Sequence, residues 1–386
     1  MHLLKQQGWE ARQVAGDEMP ALGHRLTGKP PRGWGRVREL FGDRGRKRKA
    51  LVERGLAEIL KTEKPEVAWF HNVAGGGKWG WGMEMLTAAR QTCPVLWTLH
   101  DMWALGSGEE SYWEVEEKKV GSGKGQGADS GRREVEAGRK AEGLKGLGVE
   151  AGKRSRLERV CEEQGKYPVI LTAPSKWLAD LTTQITGQKC IHLPNPIDPA
   201  LFSPGDQREA RRRLGLPERG LVVLAGADSL RDPRKGFDLL VEAWNRIRPK
   251  DATLALFGRH GEGTPGHAYL GNLNSDEQMV AAYRAADLYV HPARMENAPC
   301  TIQESLACGT PVVAFRVGGI PEMVNDGRTG LLCASVSADA LAGTLRATLS
   351  DAGRLEEMRK ACRKQPANEG LEEKICLLMR GATETG

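Results

Sequence analysis

The sequence has no C-x-x-C pair and no histidine cluster at metal-ligand spacing, which excludes a zinc ribbon or finger. Its eight cysteines, at 93, 161, 190, 300, 308, 333, 362 and 376, are scattered along the chain, a pattern that fits free thiols in a reducing cytosol. No run of about 18 apolar residues is present to span a bilayer. Residues 1–20 lack the apolar core of a signal peptide, so a cytoplasmic location is expected. Charge of one sign is also missing: 56 basic against 50 acidic residues leave +6, too mild to imply nucleic acid as a partner. No D-x-D metal site stands in a suitable loop, so no metal and no cofactor are expected. A doubly wound domain opens on a strand and a Gly-rich turn. The opening "MHLLKQQGWEARQVAG" offers neither, and the first domain is expected to lack its first strand.

What is present is the alternation of an α/β protein. At 386 residues the chain exceeds one typical core and suggests two domains or three. Short apolar runs, "VILTAPS" (169–175), "LVVLAGA" (221–227), "ATLALFG" (252–258), "LYVHPA" (288–293) and "PVVAFRVGG" (311–319), read as buried parallel strands. Between them, "GFDLLVEAWNRI" (236–247) and "SDEQMVAAYRAA" (275–286) read as helices, the second with an S-x-x-Q capping box. Residues 65–105 repeat the pattern with two strands, "PEVAWFHN" and "PVLWTLHD", around the helix "WGMEMLTAAR". The expected domains are 1–167, with a low-complexity insertion over about 108–166, then 168–365, and a terminal helix or tail at 366–386. A basic run, "RGWGRVRELFGDRGRKRKALVER" (32–54), is either a solvated helix face or an attachment to an anionic membrane surface.

The chemistry-bearing stretch is "ARMENAPCTIQESLACGTP" (293–311), where Glu296 and Glu304 lie eight residues apart. Asn297 as N-cap, Pro299 in the first turn and Gly309-Thr310-Pro311 as a stop predict a helix over 298–308. Glu296 then sits on the loop at a strand's carboxyl end, where open α/β sheets bind ligands, and the amides of Cys300 and Thr301 face an anion. By spacing alone, two solvated glutamates are the commoner outcome.

The surroundings are more specific. The line "AADLYVHPARMENAPCTIQESLACGTPVVAFRVGGIPEMVNDGRTGLL" resembles the signature of retaining glycosyltransferases of family four. The resemblance extends through "APSKWLADL", "LPNPIDPALFSP", "DPRKGFDLLVEAW", "LGNLNSDEQMVAAYRAADL" and "WTLHDMWAL", covering about 65–105 and 167–365, and looks most like the subgroup that builds exopolysaccharide and O-antigen repeat units. It implies a GT-B fold of two facing Rossmann-like domains with parallel sheets. It also implies, position by position, Glu304 on the ribose and Glu296 on the hexose of a UDP- or GDP-sugar, with Asn297, Ala298, Cys300 and Thr301 along sugar and diphosphate. Lys235 resembles the lysine that neutralises the departing diphosphate. Many relatives have an arginine right after the preceding strand's glycine; here Ala227 and Asp228 follow Gly226, and Arg231 or Arg234 takes that role. His100 resembles the histidine that reaches the donor sugar. His71, Asn72, Gly75 and Gly76 form a second loop expected to face the acceptor. A second departure is the stretch after "WTLHDMWAL", where the subgroup carries a cysteine-bearing segment and this chain has "GSGEESYWEVEEKK".

The resulting expectation is a hexosyltransferase that acts with retention on a glycan or lipid-linked acceptor. No carboxylate is placed as a nucleophile, so front-face attack is expected, with catalysis by positioning and charge stabilisation. The alternative is a catalytically inactive GT-B remnant, or a sugar-nucleotide-binding partner of another transferase.

Overall fold

The computed structural model describes residues 56–62, 64–71, 83–105, 155–163, 165–260, 266–364 and 368–384. The expected membrane-binding run, the opening stretch in which no first strand was expected, most of the insertion, and Asn72, Gly75 and Gly76 lie outside the described residues. The chain divides into two compact units, Met1–Leu193 with Gly370–Gly386, and Pro194–Glu369.

In the first unit, β1 (Ala68–His71), β2 (Val95–Thr98), β3 (Val169–Ala173) and β4 (Cys190–His192) form a parallel sheet in the order β1-β2-β3-β4. Helices α1 (Glu84–Ala89), α2 (Arg156–Glu162) and α3 (Lys176–Thr186) accompany it. Local chemistry sets their ends. Ser155 and Glu158 make a reciprocal capping box on α2, and Ser175 accepts from the Leu178 amide to start α3. All four residues of β2 are buried, as expected for a strand covered on both faces.

The second unit begins with α4 (Gln207–Arg213). The elements that follow are β5 (Leu221–Ser229), α5 (Phe237–Ile247), β6 (Ala252–Arg259), β7 (Ala268–Tyr269), α6 (Asp276–Ala285) and β8 (Leu288–His291). Then come α7 (Cys300–Ala307), β9 (Val312–Phe315), α8 (Ile320–Met323), β10 (Gly330–Cys333), α9 (Ala338–Leu349) and α10 (Ala352–Arg363). Six parallel strands are ordered β10-β9-β8-β5-β6-β7. Their period of two divides the side chains between two cores. Val222, Leu224, Tyr289, Val312 and Ala314 join one core with Tyr283 and Ile302 of α6 and α7. Val223, Ala225, Leu288, Val290, Val313 and Phe315 join the other with Leu240 and Leu341 of α5 and α9. The sheet is therefore doubly wound. From β5 the chain runs outward through β6 and β7, then returns to place β8 on the other side of β5. The strand order reverses there, and the crevice at the carboxyl ends of β5 and β8 is where such sheets bind ligands.

The structure moves one expected boundary. A division at 167/168 would separate β3 from β2, yet Val95 to Thr98 pair in register with Val169 to Thr172. The observed division is Leu193/Pro194. The terminal helix α11 (Leu371–Glu384) is not a separate tail, for Leu371, Ile375 and Met379 pack with Leu96 and Leu193 in the first unit. Among the described residues no helix is long and apolar enough to cross a membrane.

Candidate functional site

The second unit builds its site from the loops that follow β5 and β8. After β5, Asp232 accepts from the Arg234 amide and caps a single 3-10 turn, Pro233–Lys235. Gly236 ends that turn at φ +67°, and a Cβ there would lie 1.9 Å from the carbonyl oxygen of Pro292. Only glycine combines that dihedral with that approach. The contact brings the β5 loop against the residue that follows β8, and Arg294 holds it there. Its amide donates to the Arg234 carbonyl at 2.8 Å, and its guanidinium donates to the Pro233 carbonyl at 2.7 Å and pairs with Asp238 at 2.5 Å. As a result the Lys235 ammonium forms an ion pair with Glu296 Oε1, the two side chains remaining 29% and 17% exposed.

On the far side of this pair the chain enters α7. Pro299, not Asn297, is the N-cap, and the helix is Cys300–Ala307 without a side-chain cap. The expected helix over 298–308 is shorter because Pro299 keeps an extended ψ of 117°. The uncapped first-turn amides carry the positive end of the helix dipole. Asn195 steadies the approach, its amide donating to the Ala298 carbonyl at 3.5 Å and to Cys300 Sγ at 3.6 Å, while Gln303 donates back to the Asn195 carbonyl at 3.4 Å. Asn297 is buried and Thr301 half-buried beside these amides. In the second turn Glu304 Oε2 accepts from the Tyr283 hydroxyl at 2.8 Å. Burial pushes the Glu304 carboxyl above its ordinary value, and the Tyr283 hydrogen bond opposes that rise.

The two arginine candidates separate. Arg234 is held by Asp232 at 2.6 Å. The exposed Arg231 side chain makes no hydrogen bond or ion pair among the described residues.

In the first unit, His71 ends β1 and His100 follows β2, so two adjacent parallel strands deliver both rings to one edge. His71 Nδ1 and His100 Nε2 are 2.9 Å apart and share a hydrogen bond. Burial, followed by the charge on His100, holds His71 below the ordinary imidazole value, and burial lowers His100 while Asp101 opposes it.

His291 is a site residue that the sequence reading passed over. It is the last residue of β8, it is buried, and its Nε2 has no hydrogen-bond partner among the described residues. That nitrogen lies 3.8 Å from Glu296 Oε1, and Nδ1 is 3.4 Å from the Tyr289 hydroxyl. The available signal was a histidine at a strand's carboxyl end, the same signal that singled out His100.

Two Rossmann-like α/β units with parallel sheets define the GT-B class. Among solved structures, a sucrose-phosphate synthase from Thermosynechococcus elongatus matches with a TM-score of 0.61 at 21% identity, covering 88% of this chain and 80% of that one. The Anabaena protein HepE in complex with UDP-glucose matches with a TM-score of 0.58 at 16% identity, covering 85% and 82%. The family model described as "Glycosyl transferases group 1" matches residues 206–365. A D-inositol 3-phosphate glycosyltransferase from Stackebrandtia nassauensis is 33% identical over 219 residues, 51% of this chain and 49% of the relative. A GDP-mannose-dependent phosphatidylinositol monomannoside mannosyltransferase from Mycolicibacterium smegmatis is 33% identical over 198 residues, 45% and 50%. The chain spans about half the length of the curated relatives it matches.

Proposed function

We propose that the protein is a retaining glycosyltransferase that moves a hexose from a nucleoside diphosphate sugar to a glycan or lipid-linked acceptor. The observation that carries this reading is the convergence of Lys235, Glu296 and the uncapped start of α7 on the β5/β8 crevice, with Glu304 one helical turn deeper. A diphosphate there meets one ammonium and a helix dipole, while the sugar and ribose hydroxyls meet carboxylates that accept hydrogen bonds. Arg231 is the arginine assigned to the diphosphate, since Arg234 is already committed to Asp232. His100, with His71 beside it, is assigned to the sugar and acceptor side.

In this mechanism Lys235 neutralises the charge that grows on the leaving diphosphate, and a diphosphate oxygen takes the proton of the attacking hydroxyl. Catalysis then rests on positioning and preorganised charge. The acceptor follows the names of the relatives in one respect. An inositol-phosphate or phosphoinositide-type alcohol joins the exopolysaccharide and O-antigen acceptors first expected.

Nucleotide release from a panel of UDP- and GDP-sugars tests the reading. Wild-type protein is expected to turn over one of them. Lys235→Ala and Glu304→Ala are each expected to lose about 10²–10³ in rate, as does removal of one preorganised charge-stabilising group. Unchanged turnover in both variants would overturn the assignment, and tight binding without any release would favour a sugar-nucleotide-binding partner.

A further inference from the structure

Lys235 has two claims on it. In the structure it neutralises Glu296, yet the proposed reaction needs it on the diphosphate. When a donor draws the ammonium away, a partly buried carboxylate loses its only ion-pairing cation among the described residues, which is costly unless another donor replaces it. His291 stands where that donor is needed. Its Nε2 is buried, unpartnered among the described residues and 3.8 Å from the same Oε1 that Lys235 holds, about 1 Å beyond a hydrogen bond. Nδ1 lies 3.4 Å from the Tyr289 hydroxyl, and in the tautomer in which that hydroxyl donates to it, Nε2 carries the hydrogen and can turn it toward Glu296.

We propose that His291 is a positioning residue for Glu296, taking over the carboxylate from Lys235 when a diphosphate claims the lysine. This exchange rests on the donor-site reading above. It keeps Glu296 oriented toward the sugar through the step in which Lys235 is engaged elsewhere. The ion pair of Lys235 with Glu296 is a resting arrangement, and His291 lowers the cost of leaving it.

The groups that face His291 are Glu296, Lys235 and Tyr289, and burial with the Lys235 charge lowers its pKa to about 4 against the pull of Glu296. Ring nitrogen NMR of His291 at pH 5.5 therefore reads the exchange without any need for turnover. In wild type the imidazole is expected to be neutral. In Lys235→Ala, Glu296 is released to it, and its pKa is expected to rise by about one unit or more, giving a substantial charged fraction. Adding UDP to wild type is expected to shift the resonance the same way. An imidazole that stays neutral and unmoved in Lys235→Ala overturns the proposal.

A second readout uses donor kinetics. His291→Leu is expected to raise KM for the sugar nucleotide roughly 10-fold, His291→Gln, which keeps a comparable N–H, to restore most of it, and Glu296→Gln to erase the effect of His291→Leu. Additive losses from His291→Leu and Glu296→Gln would mean that the histidine only packs the core. If wild type turns over no donor, the transferase reading fails, while the NMR comparison still decides the contact.

Discussion

Asp287 stands at the amino end of β8, opposite the crevice, and is bonded by four different residues. It pairs with Arg211 at 2.5 Å and Arg359 at 3.0 Å, and accepts from the Val222 amide at 2.7 Å and the Gln207 amide at 3.0 Å. Both guanidiniums are buried, and burial lowers the Arg359 pKa against the attraction of Asp287. Asp287→Ala strands two buried cations, and is expected to destabilise the second unit by about 3–5 kcal/mol. Asp287→Asn, which keeps the shape and some acceptors, is expected to cost less. Urea unfolding measures both, and donor KM in the folded fraction should be unchanged, because the cluster lies at the other end of the strand from Lys235. The sequence "AADLYV" reads as the entry to a strand, but the partners of Asp287 come from positions 65 or more residues away, on both sides, so the cluster is invisible to a linear reading. The site shows the same limit. Glu296, Glu304 and Lys235 were recognisable by motif, whereas the Lys235–Glu296 ion pair and the approach of His291 arise only when β5 and β8 lie side by side.

At the scale of elements, the β5 loop is a small machine for delivering Lys235, and Gly236 is its tightest point. An alanine at 236 meets the Pro292 carbonyl at 1.9 Å and must hold φ near +67°. The clashing atom is backbone, so the loop itself has to move. Gly236→Ala is expected to lower stability by more than about 1 kcal/mol and to cut nucleotide release far more than stability alone explains, by displacing Lys235 from the crevice. Comparing the loss of turnover with the shift in the urea midpoint separates the two effects; equal turnover per folded molecule would contradict the placement. The strands around this loop were the most legible part of the fold. The expected runs at 221–227, 252–258 and 288–293 became Leu221–Ser229, Ala252–Arg259 and Leu288–His291, because buried parallel strands are continuously apolar. The capping box at Ser275 and Gln278 also formed as read. β4 and β7 have only three and two residues, too short for a period to register, and the proline before α7 mimicked a first helical turn.

At the scale of the whole molecule, the chain leaves the first unit at Leu193 and re-enters it at Gly370, so the terminal helix stabilises a sheet whose first described strand begins some 300 residues earlier. An amphipathic stripe announces that α11 must cover something, but periodicity does not say which unit it covers. Leu371, Ile375 and Met379 are buried against Leu96, Leu193 and the partly buried Val67, Trp69 and Ile170. Truncating such a side chain costs about 2–5 kcal/mol, through lost transfer energy and the cavity left behind. The double substitution Ile375→Ala, Met379→Ala is therefore expected to weaken the first unit and leave the second nearly untouched. Trp69 and Trp97 lie in the first unit and Trp244 in the second, so single-tryptophan reporters resolve the two responses during urea unfolding. The midpoint reported by Trp97 should fall while that of Trp244 holds. A joint fall of both midpoints would mean that the units unfold as one cooperative body, and that the division at Leu193/Pro194 is a feature of geometry without a counterpart in stability.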